Sequence, residues 1–178
     1  MPKLSRLVDS SDHMLGPDDA PVTLVEYGDF QCEHCGAAFP ILQRIIQKMG
    51  TQLRFVFRHF PLMETHEYAG IAAEAAESAA AQGKFWQMHN EIYTHQDQLD
   101  VEHLFEFAQT IGLDLDQFHK DLQQHTYEEK VHAQFMDGVR SGVNGTPTLF
   151  INGQRYNGVV ELRELSQALE EAAETAEV

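Results

Sequence analysis

The apolar positions change period along the chain. Val22, Leu24 and Val25 form a short apolar run after the turn-rich stretch Gly16-Pro17-Asp18-Asp19-Ala20-Pro21, which predicts a strand over 22–27. Phe39, Leu42, Ile45, Ile46 and Met49 recur three or four apart, the spacing of an amphipathic helix over 37–49, with Gly50 where a C-terminal cap belongs. Leu53, Phe55 and Phe57 alternate as in a strand, and that run stops near Pro61. From Thr65 to about Gly142 the signals are helical. Residues 69–81 contain eight alanines, the strongest helix former. Val101, Leu104, Phe105, Ala108 and Ile111 draw one apolar stripe ahead of Gly112, and Asp114 with Gln117, then Thr126 with Glu129, have capping-box spacing. Strand character returns over 148–151, Asn152-Gly153 is a two-residue hairpin signal, and Arg155 and Tyr156 begin the return strand. Leu162, Leu165, Leu169 and Ala172 mark a closing helix.

Strand, helix, strand, helical block, hairpin, helix is the order of an α/β chain. A helix joining two parallel strands implies a right-handed crossover. The helical block is too long for an ordinary connection and reads as an inserted subdomain. Composition agrees: 43% apolar and 22% charged residues make a globular mixture, and no stretch approaches the ~18 apolar residues of a membrane span. Lys and Arg number 12 against 28 Asp and Glu, a net charge of −16 with histidine neutral. Such a surface repels phosphate backbones, so nucleic acid is not an expected partner, and a polybasic membrane anchor is equally unsupported. Lys3 and Arg6 are not followed by the apolar run of about 7–15 residues of a secretory leader. The expected location is the cytoplasm, with a periplasmic or secreted mature form whose leader was removed as the alternative.

The chemistry is concentrated at Cys32-Glu33-His34-Cys35, which holds both cysteines of the chain. The pair lies between an apolar strand and an amphipathic helix, so Cys32 is expected at or just before the helix N-terminus. The first turn there has unpaired N–H groups and about half a positive charge. Thiolates in such settings are stabilised, with pKa values of ~3.5–7.5 instead of ~8.5. His34 adds a positive charge or a donor near the sulfur. Cys35, one turn on, faces inward. The asymmetry assigns Cys32 as nucleophile and Cys35 as the resolving thiol. A Cys32 pKa of ~5 would favour the thiolate by about 2.7 kcal/mol at pH 7 and make the disulfide more oxidising by about 60 mV. Zinc ligation by Cys32, Cys35 and a histidine is the competing reading, but no second Cys/His pair shows a structural-zinc spacing.

With Cys32-Glu33-His34-Cys35, Thr146-Pro147 and the central helical block together, the chain resembles the DsbA-like thiol–disulfide oxidoreductases of the thioredoxin superfamily. The stretches Val25 to Cys32, Gly83 to His89 and Gly142 to Thr148 carry the resemblance, in the family's order. It implies a thioredoxin fold over 20–62 and 147–175, a helical insertion over 63–146 and an N-terminal extension over 1–19. It also implies that Pro147 is a cis-proline that, with Thr146, presents backbone to an extended substrate. Glu26, six residues before Cys32, matches the family's buried acid, which accepts a proton from Cys35. Two positions depart from the strongly oxidising periplasmic member: Glu33 stands where that protein has proline, and Thr146 is closer to the isomerase-like pattern.

The expected activity is thiol–disulfide exchange with protein or peptide thiols, needing no dissociable cofactor or metal. Its redox partner would be glutathione or another oxidoreductase. The rivals are a non-catalytic peptide- or zinc-binding module on the same scaffold and a glutathione-dependent transferase or isomerase, for which a resolving cysteine is superfluous. Phe30 is either a substrate-facing aromatic or a core residue, while Phe85 and Trp86 read as packing.

Overall fold

The computed structural model describes residues 2–176. Among them five strands, β1 (His13–Leu15), β2 (Val22–Gly28), β3 (Leu53–His59), β4 (Thr148–Ile151) and β5 (Gln154–Arg155), form one mixed sheet in the order β1-β3-β2-β4-β5. β1 runs antiparallel to β3 with Met14 opposite Val56, and β2 antiparallel to β4 with Val25 opposite Phe150. The central strands β2 and β3 are buried on both faces for most of their length, so Val56 and Arg58 are as buried as Phe55 and Phe57. Simple alternation therefore understated the burial of β3. The hairpin between β4 and β5 turns on Asn152 and Gly153, both at positive φ (48° and 80°), as a type I′ turn requires.

Between β2 and β3 runs α1 (Glu33–Met49), which turns Ala38, Leu42, Ile45 and Met49 inward. It begins four residues before the apolar periodicity does, because its first turn carries the cysteine pair instead of a continuous core face. Pro40 lies inside it and has no N–H to donate to the Gly36 carbonyl. Then come α2 (Ala69–Ala81), α3 (Phe85–Thr94), α4 (Val101–Thr110), α5 (Leu115–Gln123) and α6 (Glu128–Arg140), and α7 (Leu162–Ala176) follows β5. No described helix is long and apolar enough to cross a membrane.

The chain divides into two compact units: Met1–Gly28, Ala37–Arg58 and Met136–Val178 in one, Asp29–Gly36 and His59–Phe135 in the other. In the first, the segment expected as a plain extension supplies β1, and a buried charge network fastens it. Arg58 is fully buried and grips Asp12 bidentately, Nε to Oδ1 and a terminal nitrogen to Oδ2, each at 2.9 Å. Its remaining donors reach the Tyr27 hydroxyl at 3.0 Å and the carbonyls of Arg6 and Leu7 at 3.1 and 3.2 Å. Arg6 adds a second guanidinium, 2.6 Å from Asp12 Oδ1 and 2.9 Å from Asp137.

In the second unit, α2 is buried along most of its length, and alanine is what lets neighbouring helices approach it so closely. Its polar side chains are paired. Glu77 meets His59 Nε2 at 2.9 Å and Lys130 Nζ at 2.7 Å, and Ser78 donates to Asp121 at 2.7 Å. Asp114 caps α5 through the Gln117 N–H at 3.0 Å, and Asp100 caps α4 in the same way through His103. The other predicted cap is displaced. Val131 N–H donates to the Tyr127 carbonyl, so Tyr127 stands at the head of α6 in place of Thr126.

Burial alone would raise the Asp12 pKa, but hydrogen bonds from Arg58 and then Arg6 outweigh it and hold the carboxyl below its usual 3.8. A depressed pKa gives stability that is fully present above the unfolded value and is lost as pH falls through the folded one. Asp12→Asn leaves Arg58 buried without its counter-charge and is expected to cost about 3–5 kcal/mol at pH 7. Urea denaturation at pH 7 and pH 3 should show the variant losing less stability on acidification than the parent.

Candidate functional site

The link from β2 to α1 is the irregular segment Asp29-Phe30-Gln31-Cys32, and three side chains give it a fixed shape. Asp29, at 1% exposure, accepts the Gln31 N–H at 2.8 Å and the Leu62 N–H at 2.9 Å, and lies 2.7 Å from His66 Nδ1. Gln31 Oε1 accepts the Tyr68 N–H at 2.7 Å. Gln96, in the turn after α3, donates its amide to two backbone carbonyls at once, Phe30 at 2.8 Å and Cys32 at 2.9 Å. Gly36 makes room for that amide, because a Cβ there would lie 1.9 Å from Gln96 Oε1.

The first helical hydrogen bond of α1 runs from Gly36 N–H to the Cys32 carbonyl at 3.0 Å. Cys32 is therefore the residue capping the helix, and Cys35 sits one turn inside it. Both side chains are buried, Cys32 at 5% and Cys35 at 0% exposure, whereas Glu33 and His34 between them are exposed. A side chain at the capping position is the one that accepts first-turn N–H groups, so a thiolate at Cys32 would meet unpaired donors and the positive end of the helix.

Phe30 is buried at 1% exposure and packs against Tyr93 (ring centroids 5.0 Å apart), His89 (5.7 Å) and His59 (5.8 Å). It is a core residue. Phe85 and Trp86 likewise pack on each other and on His89.

The other candidate residues lie in the first unit. Glu26 is buried at 2% exposure on β2, opposite Leu149 of β4. The Thr146–Pro147 peptide bond is cis, and the loop is closed by Thr148 Oγ1 donating to the Gly145 carbonyl at 2.7 Å. Arg155 reinforces it through the Gly142 carbonyl at 2.7 Å. Cys32, His34 and Cys35 thus share one helix start, and Glu26, Thr146 and Pro147 share two paired strands and the loop entering one of them. Asp29, Gln31, Gln96 and Gly36 were not singled out by the sequence. Each acts through a partner distant in the chain, and only the glycine directly after Cys35 offered a local hint.

A family model described as thioredoxin matches residues 9–171, and the chain belongs to that family. Its architecture is the thioredoxin fold with a helical insertion. A thioredoxin-like oxidoreductase from Silicibacter pomeroyi superposes with a TM-score of 0.79 at 26% identity, over 93% of this chain and 94% of that one. Wolbachia pipientis alpha-DsbA1 gives a TM-score of 0.84 at 21% identity, over 96% and 94%. The chain is also 44% identical over 166 residues to a Salinispora tropica protein named Na(+)/H(+) antiporter NhaA 3, a match covering 93% of this chain and 25% of that protein. It spans about a quarter of the length of the curated relatives it matches.

The Gln96 clamp makes a signed prediction. Gly36→Ala should destabilise the parent by displacing the amide, yet in a Gln96→Ala background it should be neutral or stabilising by about 0.5–1 kcal/mol, the ordinary gain of alanine over glycine in a helix. A urea double-mutant cycle measures both values.

Proposed function

We propose that the chain exchanges disulfides with protein or peptide thiols through a Cys32–Cys35 pair. The observation that supports this most directly is the placement of Cys32 as the capping residue of α1 with Cys35 one turn on. In the oxidised form a substrate thiolate attacks Cys32 Sγ, forming a mixed disulfide and releasing Cys35 as a thiolate. A second substrate thiolate then attacks its own half of the mixed disulfide. The substrate leaves oxidised, and two electrons remain on the Cys32–Cys35 dithiol. Reduction of a substrate disulfide is the same sequence reversed, with Cys32 as attacking thiolate and Cys35 resolving.

Two further residues have roles in this reading. Glu26, a buried carboxyl, would accept the Cys35 proton as that thiol attacks. The cis Thr146–Pro147 loop would offer backbone groups to an extended substrate. Direction follows from the redox poise of the surroundings. Stabilising the Cys32 thiolate favours the reduced form, so in a cytosolic glutathione pool the pair would rest as the dithiol, and in an oxidising compartment it would act as an oxidant.

Cys35→Ser is expected to accumulate mixed disulfides on Cys32, visible as reductant-sensitive adducts with a disulfide-bearing unfolded protein whose disulfide the Cys32 thiolate opens, and Cys32→Ser to form none. An absence of adducts while Cys32 still reacts with iodoacetamide would sink the division of roles. His34→Ala should raise the Cys32 pKa by about half a unit, the effect of one nearby positive charge in a watery setting, read from the thiolate ultraviolet absorbance.

A further inference from the structure

We propose that the second unit carries a docking groove for a cationic amphipathic segment of a partner protein. The proposal deepens the exchange reading, on which it rests for the partner's purpose, by naming the partner's chemistry.

The groove has a volume of about 890 Å³ and lies between the loop that follows β3 and the start of α6. Its walls are apolar: Leu62 and Met63 on one side, Val131 and Phe135 on the other, with Phe135 held in place by stacking on Phe60 at 4.4 Å. Met63 is 65% exposed, and its Sδ lies across Gly70, where a Cβ would meet it at 2.8 Å. A concave apolar surface left open to water in this way marks a binding site more often than chance.

The rim decides what fits. It carries the carboxylates Glu64, Glu128 and Glu129 and one histidine, His132, with Glu74 buried and bonded to His125 at 3.0 Å, and with no lysine or arginine on the described lining. A second copy of this chain is a poor occupant, since each copy carries a net charge of −16. Nucleic acid and anionic lipid are repelled for the same reason. A small apolar ligand would fill the walls while leaving the rim carboxylates without counter-charges. A peptide segment with leucine- or phenylalanine-like side chains at helical spacing and lysine or arginine on its flanks satisfies both the walls and the rim.

The groove is tied to the exchange site through its own wall. Leu62 N–H and His66 Nδ1 both bind Asp29, three residues before Cys32. A partner seated here would be tethered to the unit that holds the cysteines, which raises the effective concentration of its thiol without any new contact at the sulfur.

The test uses the full chain carrying Cys32→Ser, so that binding is read without covalent trapping. The probe is a short dansyl-labelled, cysteine-free peptide with leucine and phenylalanine at helical spacing and lysines between them, followed by fluorescence anisotropy. Saturable binding is expected. Glu128→Gln with Glu129→Gln should weaken it about tenfold, the equivalent of about 1.4 kcal/mol. Because those two residues stand in the first turn of α6, Met63→Asp is the second variant and should weaken binding to a similar extent. Glu171→Gln with Glu174→Gln on α7 makes the same change in net charge and should leave the affinity unaltered. Absence of saturable binding, an equal loss with the α7 pair, or undiminished binding of a probe whose leucine and phenylalanine are replaced by serine would each overturn the proposal. Intact probe binding, with no exchange activity measured in the unsubstituted chain, would count against the exchange reading alone.

Discussion

The arrangement of the segment leading into α1 depends on one constraint: the open end of α1 must be presented to Cys32 in a fixed geometry. A helix terminus is positive only over its first turn, so a sulfur displaced by a few ångströms loses most of the benefit. The four residues leading into that turn belong to no regular element. Asp29 anchors them through the Gln31 and Leu62 N–H groups and His66 Nδ1, Gln31 ties them to the start of α2, and Gln96 holds the carbonyls of Phe30 and Cys32 on one amide. Gly36 follows from this, because any side chain there would occupy the place of the Gln96 amide.

The cysteine pair proposed to carry the chemistry stands out in the sequence because its signal is local. Two cysteines three apart, between a strand and a helix, are recognised without knowing what surrounds them. The supporting residues were not legible, and Asp29, Gln96 and Arg58 show why. Asp29 bonds to residues 62 and 66, Gln96 to residues 30 and 32, and Arg58 to residue 12, and no periodicity links such positions. The same reason hid β1. Three residues show no alternation, and the strand exists because β3 offers a free edge and Asp12 is held by Arg58. Helix interiors were read well where the apolar stripe was continuous. Boundaries slipped where chemistry or proline interrupted the stripe, as at the start of α1.

Buried charge is used differently in the two units. In the first, Arg58 and Asp12 exchange two hydrogen bonds, and every remaining Arg58 donor has an acceptor, so the cost of removing both ions from water is met by geometry. A leucine pair of similar volume could supply comparable stability, but it could not grip the carbonyls of Arg6 and Leu7 and so fix where the first residues lie. In the second, Glu77 stands between a histidine and a lysine inside a helix rich in alanine. Alanine brings the helices together, and the polar exceptions specify which face of α2 meets which neighbour.

The exchange chemistry proposed for the pair turns on which local charge dominates at Cys32. Glu33 is adjacent in sequence but exposed, so its carboxylate acts through water; at ~6 Å that repulsion is about 0.7 kcal/mol and is further screened by salt. The first-turn N–H groups act on a side chain that is only 5% exposed, where solvent does little to weaken them. A buried thiolate without such donors would be expensive, so the same burial that removes water makes the helix end the stronger influence. On the exchange reading, the helix end would therefore have to outweigh the acidic neighbour at Cys32. A chain with an overall excess of carboxylates does not exclude one stabilised negative sulfur, because most of the described carboxylates reach water and are screened, Asp12, Glu26, Asp29, Glu74, Glu77 and Asp121 being the buried ones.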